Sequence, residues 1–139
     1  MILLDTNVIS EPLHQAPAGA VIEWIDKQPL DTLFLSAVTV AELRFGVASL
    51  PAGKRRDALQ QSLEQQVLAL FAGRVLPFDS PASRHYGALM SRARASGRAI
   101  TAADGYIAAT AAAHGMSVAT RDVQPFEALG VPVINPWGQ

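Results

Sequence analysis

The chain has 139 residues, enough for one domain with one sizeable core. Half of them are hydrophobic and 17% are charged, which excludes a disordered chain, and the lack of cysteine excludes disulfides and thiolate metal sites. Eleven basic residues nearly balance twelve acidic ones, so a polyanion would have to be held by a local patch or a metal.

Asp5 interrupts the apolar opening after four residues, so a secretory signal is not expected. No apolar run approaches the roughly 20 residues of a membrane span. With the missing cysteines, this points to a cytoplasmic protein. No repeat, low-complexity tract or linker divides the chain, so a single domain over residues 1–139 is expected.

Short apolar runs alternate with helical patterns along the chain. Ile2-Leu3-Leu4 reads as a strand that ends on Asp5. Pro17 to Lys27 reads as a helix with Val21, Trp24 and Ile25 on one side. Leu33-Phe34-Leu35 is a second strand, followed by a helix from Thr39 to Leu50, before Pro51. Leu59, Leu63, Val67, Leu70 and Phe71 keep helical spacing as far as Gly73. Val75-Leu76 is a third strand, and Ser80-Pro81 starts a helix carrying Tyr86, Leu89 and Ala93. Thr101 to His114 is an alanine-rich helix that stops before Gly115. Val118-Ala119 and Val131 to Ile134 complete five strands. This alternation predicts an α/β fold whose mostly parallel sheet is covered by helices on both faces.

Four acids stand in apolar surroundings. Asp5 follows the first strand, Glu42 lies in "SAVTVAEL", and Asp122 follows the fourth strand in "SVATRD". Asp104 carries the one charge between Ala99 and Ala113. Open α/β sheets bind ligands beyond the carboxyl ends of their strands. Asp5 and Asp122 fall at that edge, and Glu42 and Asp104 fall in the first turns of neighbouring helices, so the four can meet. Two carboxylates about 4 Å apart repel by about 1 kcal/mol in water and about 4 near a protein surface, and a cation relieves this. A donor set made of hard oxygens points to Mg²⁺ or Mn²⁺. Such ions polarise a phosphate and activate a water for in-line attack. A plainer reading stands beside this one. Thr39-x-x-Glu42 and Thr101-x-x-Asp104 fit the capping box, and Asp5 and Asp122 suit helix caps or turns.

Other candidates are weaker. His14, His85 and His114 have no ligand-like spacing, no Ser/Thr–His–acid triad is visible, and there is no phosphate-binding glycine loop. Lys54-Arg55-Arg56 reads as a solvated helix face. Arg84, Arg92, Arg94 and Arg98 read the same way, or as a phosphate-binding rim.

The segments "MILLDTNVISE", "LSAVTVAELRFGV", "ITAADGYIAATAAAHGMSVATRD" and "NPW" resemble the PIN-domain toxins of the VapC family, in its FitB-like branch. The resemblance covers essentially the whole chain and keeps the motif order. It implies a three-layer α/β/α sandwich around a central, mostly parallel five-stranded sheet. It also implies a Mg²⁺- or Mn²⁺-dependent ribonuclease that hydrolyses RNA phosphodiesters to a 5′-phosphate and a 3′-hydroxyl. Asp5, Glu42, Asp104 and Asp122 match the family's catalytic and metal-binding acids. Thr6 and Asn7 complete its DTN start, with Asn7 orienting an acid or a metal-bound water. Thr120 and Arg121 match the segment that positions the fourth acid or touches phosphate.

The same resemblance implies the toxin of a type II toxin–antitoxin system. Such toxins form homodimers and are silenced by a cognate VapB- or FitA-like antitoxin in a larger hetero-oligomer, which reaches operator DNA only through the antitoxin. This chain departs from many relatives in "TRDVQPF", where Asp122 replaces Asn and Pro125 replaces an acid. Asp122 is then left as the fourth carboxylate, directly or through water. The departure leaves room for a second reading, a binding module that stabilises an antitoxin–DNA complex with little nuclease activity. A receiver domain or aspartyl phosphatase fits poorly, because both lysines, Lys27 and Lys54, come early and Asn7 stands where a second Asp is wanted.

Overall fold

The computed structural model describes residues 1–138. β1 (Ile2–Leu4) enters the core at once. Leu3 and Leu4 are both fully buried, one in each of two separate hydrophobic clusters, because successive strand residues point to opposite faces. Val118 and Ala119 of β4 (Ser117–Ala119) divide between the clusters in the same way.

The remaining strands are β2 (Leu33–Ser36), β3 (Val75–Leu76) and β5 (Val133–Ile134). All five are parallel, in the order β3-β2-β1-β4-β5. The chain winds outward from β1 to β3, then returns to lay β4 against the other side of β1. The order therefore reverses between β1 and β4, where an open sheet forms its ligand crevice.

Helices cover both faces. α1 (Thr6–Ile9), α2 (Gly19–Lys27), α3 (Ala37–Ala48) and α4 (Lys54–Gln61) lie on one side. There Val8, Val21, Val40 and Leu43 pack on Leu4, Leu35 and Ala119. α5 (Ser80–Ala95), α6 (Ala102–His114) and α7 (Val123–Ala128) lie on the other. Leu89, Ile107, Ala108 and Phe126 pack there on Leu3 and Val118. This is the expected three-layer α/β/α sandwich.

Three local expectations are corrected. α3 begins at Ala37, not Thr39, because the Ser36 hydroxyl accepts the Val38 N–H at 3.0 Å and caps the helix first. Thr39 is thus fully buried inside the helix, and Glu42 sits in its second turn. The Thr39–Glu42 capping box does not form. The apolar stripe from Leu59 to Phe71 is not one regular helix: α4 widens into a π-wound stretch over Ser62–Val67 and tightens into a 3₁₀ turn over Leu68–Phe71. The change of winding buries Leu63 and Phe71 and leaves Leu70 half exposed. The last strand starts at Val133, not Val131. Pro132 has no N–H for the ladder, and Val131 instead donates to Phe126 O at 3.1 Å.

Close packing of α5 on α6 requires Gly105, the residue after Asp104. A Cβ there would lie 2.7 Å from Met90 Sδ and 2.9 Å from Tyr86 Cε2.

Candidate active site

The backbone N–H of Asp5 donates to Ala119 O at 2.9 Å, which carries the β1–β4 ladder one step past Leu4. Asp5 therefore stands at the reversal of strand order, and it is only 5% exposed. Its extended backbone makes it the N-cap of α1. Oδ1 accepts the Thr6 N–H at 2.8 Å. Oδ2 accepts the Thr120 hydroxyl at 2.8 Å and the Asn7 amide at 3.5 Å. A carboxylate offers roughly four lone-pair positions, so about one remains open, on Oδ1.

Thr120 is fully buried at the end of β4 and ties this corner together. Besides donating to Asp5, its hydroxyl oxygen accepts the Asp122 N–H at 3.0 Å. Asn7 Oδ1 accepts the Arg121 N–H at 3.1 Å, so the loop after β4 is pinned to α1. The Arg121 guanidinium lies 5.2 Å from the Trp137 ring centroid, a cation–π contact that holds it against the C-terminal segment. Asp122 occupies the N-cap position of α7 but makes no side-chain cap, so the plain capping role does not account for it. Its carboxylate is exposed.

Glu42 reaches the same region from α3. Thr6 donates its hydroxyl to Glu42 Oε1 at 2.6 Å and lies 3.4 Å from the Thr39 hydroxyl. Asp104 comes from the first turn of α6, where Thr101 caps by accepting the Asp104 N–H at 3.2 Å. The capping half of that box therefore forms, and Asp104's side chain is partly buried.

The charges of the neighbouring acids act on Asp5 and Asp104. Burial pushes the Asp5 carboxyl up to about 6, against the Thr120 and Thr6 hydrogen bonds that favour the charged form. The charges of Asp104 and Glu42 push it further the same way. Asp104 is also raised, first by burial and then by Asp122 and Glu42, with the Thr101 hydroxyl opposing. Among the described residues, none of the four acids has a basic partner; the ion pairs are His14–Glu11 and Arg44–Glu64.

A set of carboxylates without a basic partner, two of them raised by burial and by the neighbouring charges, fits a hard divalent cation. Among the described residues, no three acidic or imidazole groups converge closely enough to enclose an ion by themselves. Such an open set suits Mg²⁺, which keeps several waters and completes its shell with substrate oxygens.

Sequence reasoning misses the hydroxyl braces. It gives Thr39 only a capping role and assigns Thr6 no partner. Each brace joins residues far apart in the chain, so no local signal could have found it.

The PIN domain family model matches residues 2–131. The chain is 63% identical to the VapC ribonuclease Y4jK of Sinorhizobium fredii, covering 99% of this chain and 98% of that one. It is 56% identical to the toxin FitB of Neisseria gonorrhoeae, covering 99% of each. A solved structure of FitAB bound to an IR36 DNA fragment superposes with a TM-score of 0.96 at 54% identity, covering 100% of this chain and 97% of that one. On the motifs, the fold and these likenesses together, the chain belongs to the PIN-domain family, among its VapC- and FitB-like members.

Proposed function

We propose that this protein is the toxin of a toxin–antitoxin pair and acts as a metal-dependent endoribonuclease. The observation that carries this reading is the gathering of Asp5, Glu42, Asp104 and Asp122, without a basic partner, at the β1–β4 reversal. The similarity to a VapC ribonuclease supports the reaction class.

Asp5 and Asp104 are the principal residues to hold Mg²⁺ or Mn²⁺, with Glu42 and Asp122 completing the pocket directly or through water. A bound divalent ion supplies phosphate polarisation and a more acidic water. The chain's own groups do the rest. Thr120, Thr6 and Asn7 fix the Asp5 carboxylate, so its open oxygen keeps one orientation. Thr6 does the same for Glu42. The Asp5 carboxyl loses its proton near pH 6, so the site is charged and ready for a cation at neutral pH.

An apolar groove of about 420 Å³, lined by Ile9, Leu13, Ile22, Ile25, Leu59 and Leu70 among others, suits an amphipathic antitoxin segment. The solved FitAB complex bound to a DNA fragment supports an antitoxin partner and a DNA-bound complex.

Induction of the chain without an antitoxin tests the reading. Growth arrest that Asp5→Asn relieves is the expected result. Equal arrest by both chains, or arrest by neither with repression intact, favours the binding module instead.

A further inference from the structure

The connection between α5 and α6 carries chemistry that the acid site does not use. α5 ends in a Schellman turn: Gly97 N–H donates to Arg94 O at 3.0 Å, and Arg98 N–H donates to Ala93 O at 2.8 Å. Gly97 supplies the left-handed φ of 75° that the turn needs. The backbone of Arg98 is therefore fixed, although its side chain is exposed.

Arg98 and Asp122 line one cavity of about 210 Å³, together with Ile100, Gln124 and Pro125. Arg98 also lines a second cavity, of about 440 Å³, with Arg94, Met90 and Ser91. Residues 98–100 are the wall common to both. The two cavities thus flank Arg98, one on the side of the fourth acid and one on the side of the last turns of α5.

Both guanidiniums are unspent. Among the described residues, neither Arg94 nor Arg98 has an acid within salt-bridge distance. Among the described residues Arg55, Arg56 and Arg92 are unpaired too, but none of them lines the cavity that Asp122 lines. Arg44 pairs with Glu64, Arg74 donates to Leu33 O and Leu70 O, and Arg121 lies over Trp137. A chain with net charge −1 and four unpaired acids at its site repels a polyanion unless cations flank the pocket. A guanidinium matches a phosphate with two parallel N–H donors, and a fixed backbone lowers the cost of ordering it.

Resting on the nuclease reading above, we propose that Arg98 is a substrate-binding residue for a single RNA strand. Its guanidinium takes the non-bridging oxygens of a phosphate next to the scissile one. Arg94 takes a phosphate further along, so the strand leaves the acid pocket over the α5–α6 connection.

The test measures binding and turnover separately. Binding is read by fluorescence anisotropy of a labelled, short, random-sequence single-stranded RNA with Mg²⁺, in an Asp104→Asn background that stops cleavage. Arg98→Ala should weaken binding about three- to tenfold and reduce the salt slope by about 0.7, the share of one single-strand phosphate. Arg98→Lys should keep the slope. Arg84→Ala, whose guanidinium reaches Ser80 at the far end of α5, should change neither. With Asp104 intact, Arg98→Ala should raise KM and leave kcat in place. The proposal is overturned if Arg98→Ala matches its parent in affinity and slope while the intact chain cleaves RNA. It is also overturned if the variant loses affinity for antitoxin and not for RNA. An intact chain that cleaves nothing, but binds RNA through Arg98, defeats the nuclease reading and overturns the placing of Arg98 beside a scissile phosphate, leaving it an RNA-binding residue alone. A chain with no RNA affinity defeats both.

Discussion

Glu64 and Asp5 are both carboxylates, and the fold treats them in opposite ways. Glu64 lies on the surface, where Arg44 grips it with two N–H donors at 2.9 and 2.8 Å. That grip holds its carboxyl below the usual range. Asp5 is buried, receives only neutral donors and is pushed up to about 6. Glu11 is buried too, yet it has His14 at 3.3 Å and the Ala18 N–H at 2.8 Å. Elsewhere, then, the protein provides partners for its buried or crowded acids. At the β1–β4 reversal it keeps Asp5 charged and short of a cation, which costs stability and leaves room for an ion.

Removal of the unpaired acids should have the largest effect. Asp5→Asn and Asp104→Asn should each lower RNA cleavage by at least about 100-fold if, as proposed, they hold the metal. A gel assay of product formation with Mg²⁺ reads this directly. Retention of more than a tenth of parental activity in both variants contradicts the assigned roles.

Thr120→Val comes next. It removes the hydroxyl that donates to Asp5 Oδ2 in a fully buried corner. Leaving that oxygen short should cost about 1–3 kcal/mol of stability and about 10–100-fold in metal affinity. Denaturant unfolding and calorimetry check the two effects.

The pH dependence follows from the raised Asp5 pKa. The folded state holds this proton more tightly than the unfolded chain, so the metal-free protein is favoured at low pH. That advantage is lost as pH rises from about 4 through about 6. It amounts to about 3 kcal/mol at most. Asp5→Asn should therefore unfold several degrees above the metal-free parent at pH 7.5 and near it at pH 4. Metal affinity of the parent should fall below pH 6, where protons compete for the same oxygen. A melting difference that does not change with pH would show that Asp5 is not the group responsible.

The smallest effect belongs to the paired acid. Arg44→Ala should change stability by less than about 1 kcal/mol, because the pair is exposed and screened. Cleavage at saturating metal should be unchanged. A large activity loss here would dissolve the distinction between the two kinds of carboxylate.

Much of the site is legible in the chain. Asp5 shows itself as a charge closing an apolar strand, and Asp104 as the lone charge of an alanine-rich helix. Both signals are local, because a single charge in an apolar stretch stands out from its immediate neighbours. The start of α3 is harder to read because Ser36 and Thr39 are both good caps. The choice between them depends on where β2 ends, which spacing does not report. The winding change after Gln61 is hidden for a related reason. The stripe from Leu59 to Phe71 is helical on paper, while burial of Leu63 and Phe71 against the sheet decides the turn actually taken. The Thr6–Glu42 and Thr120–Asp5 hydrogen bonds join residues 36 and 115 positions apart, so no local pattern announces them.

Everything proposed for the four acids requires that they work through a divalent cation on RNA. Cleavage of total RNA by antitoxin-free protein stripped with EDTA, before and after adding Mg²⁺ or Mn²⁺, tests this without intermediaries. The stripped protein should leave the RNA intact, and either ion should restore cleavage. Undiminished cleavage in EDTA, or none at any ion concentration, would contradict the metal-dependent nuclease.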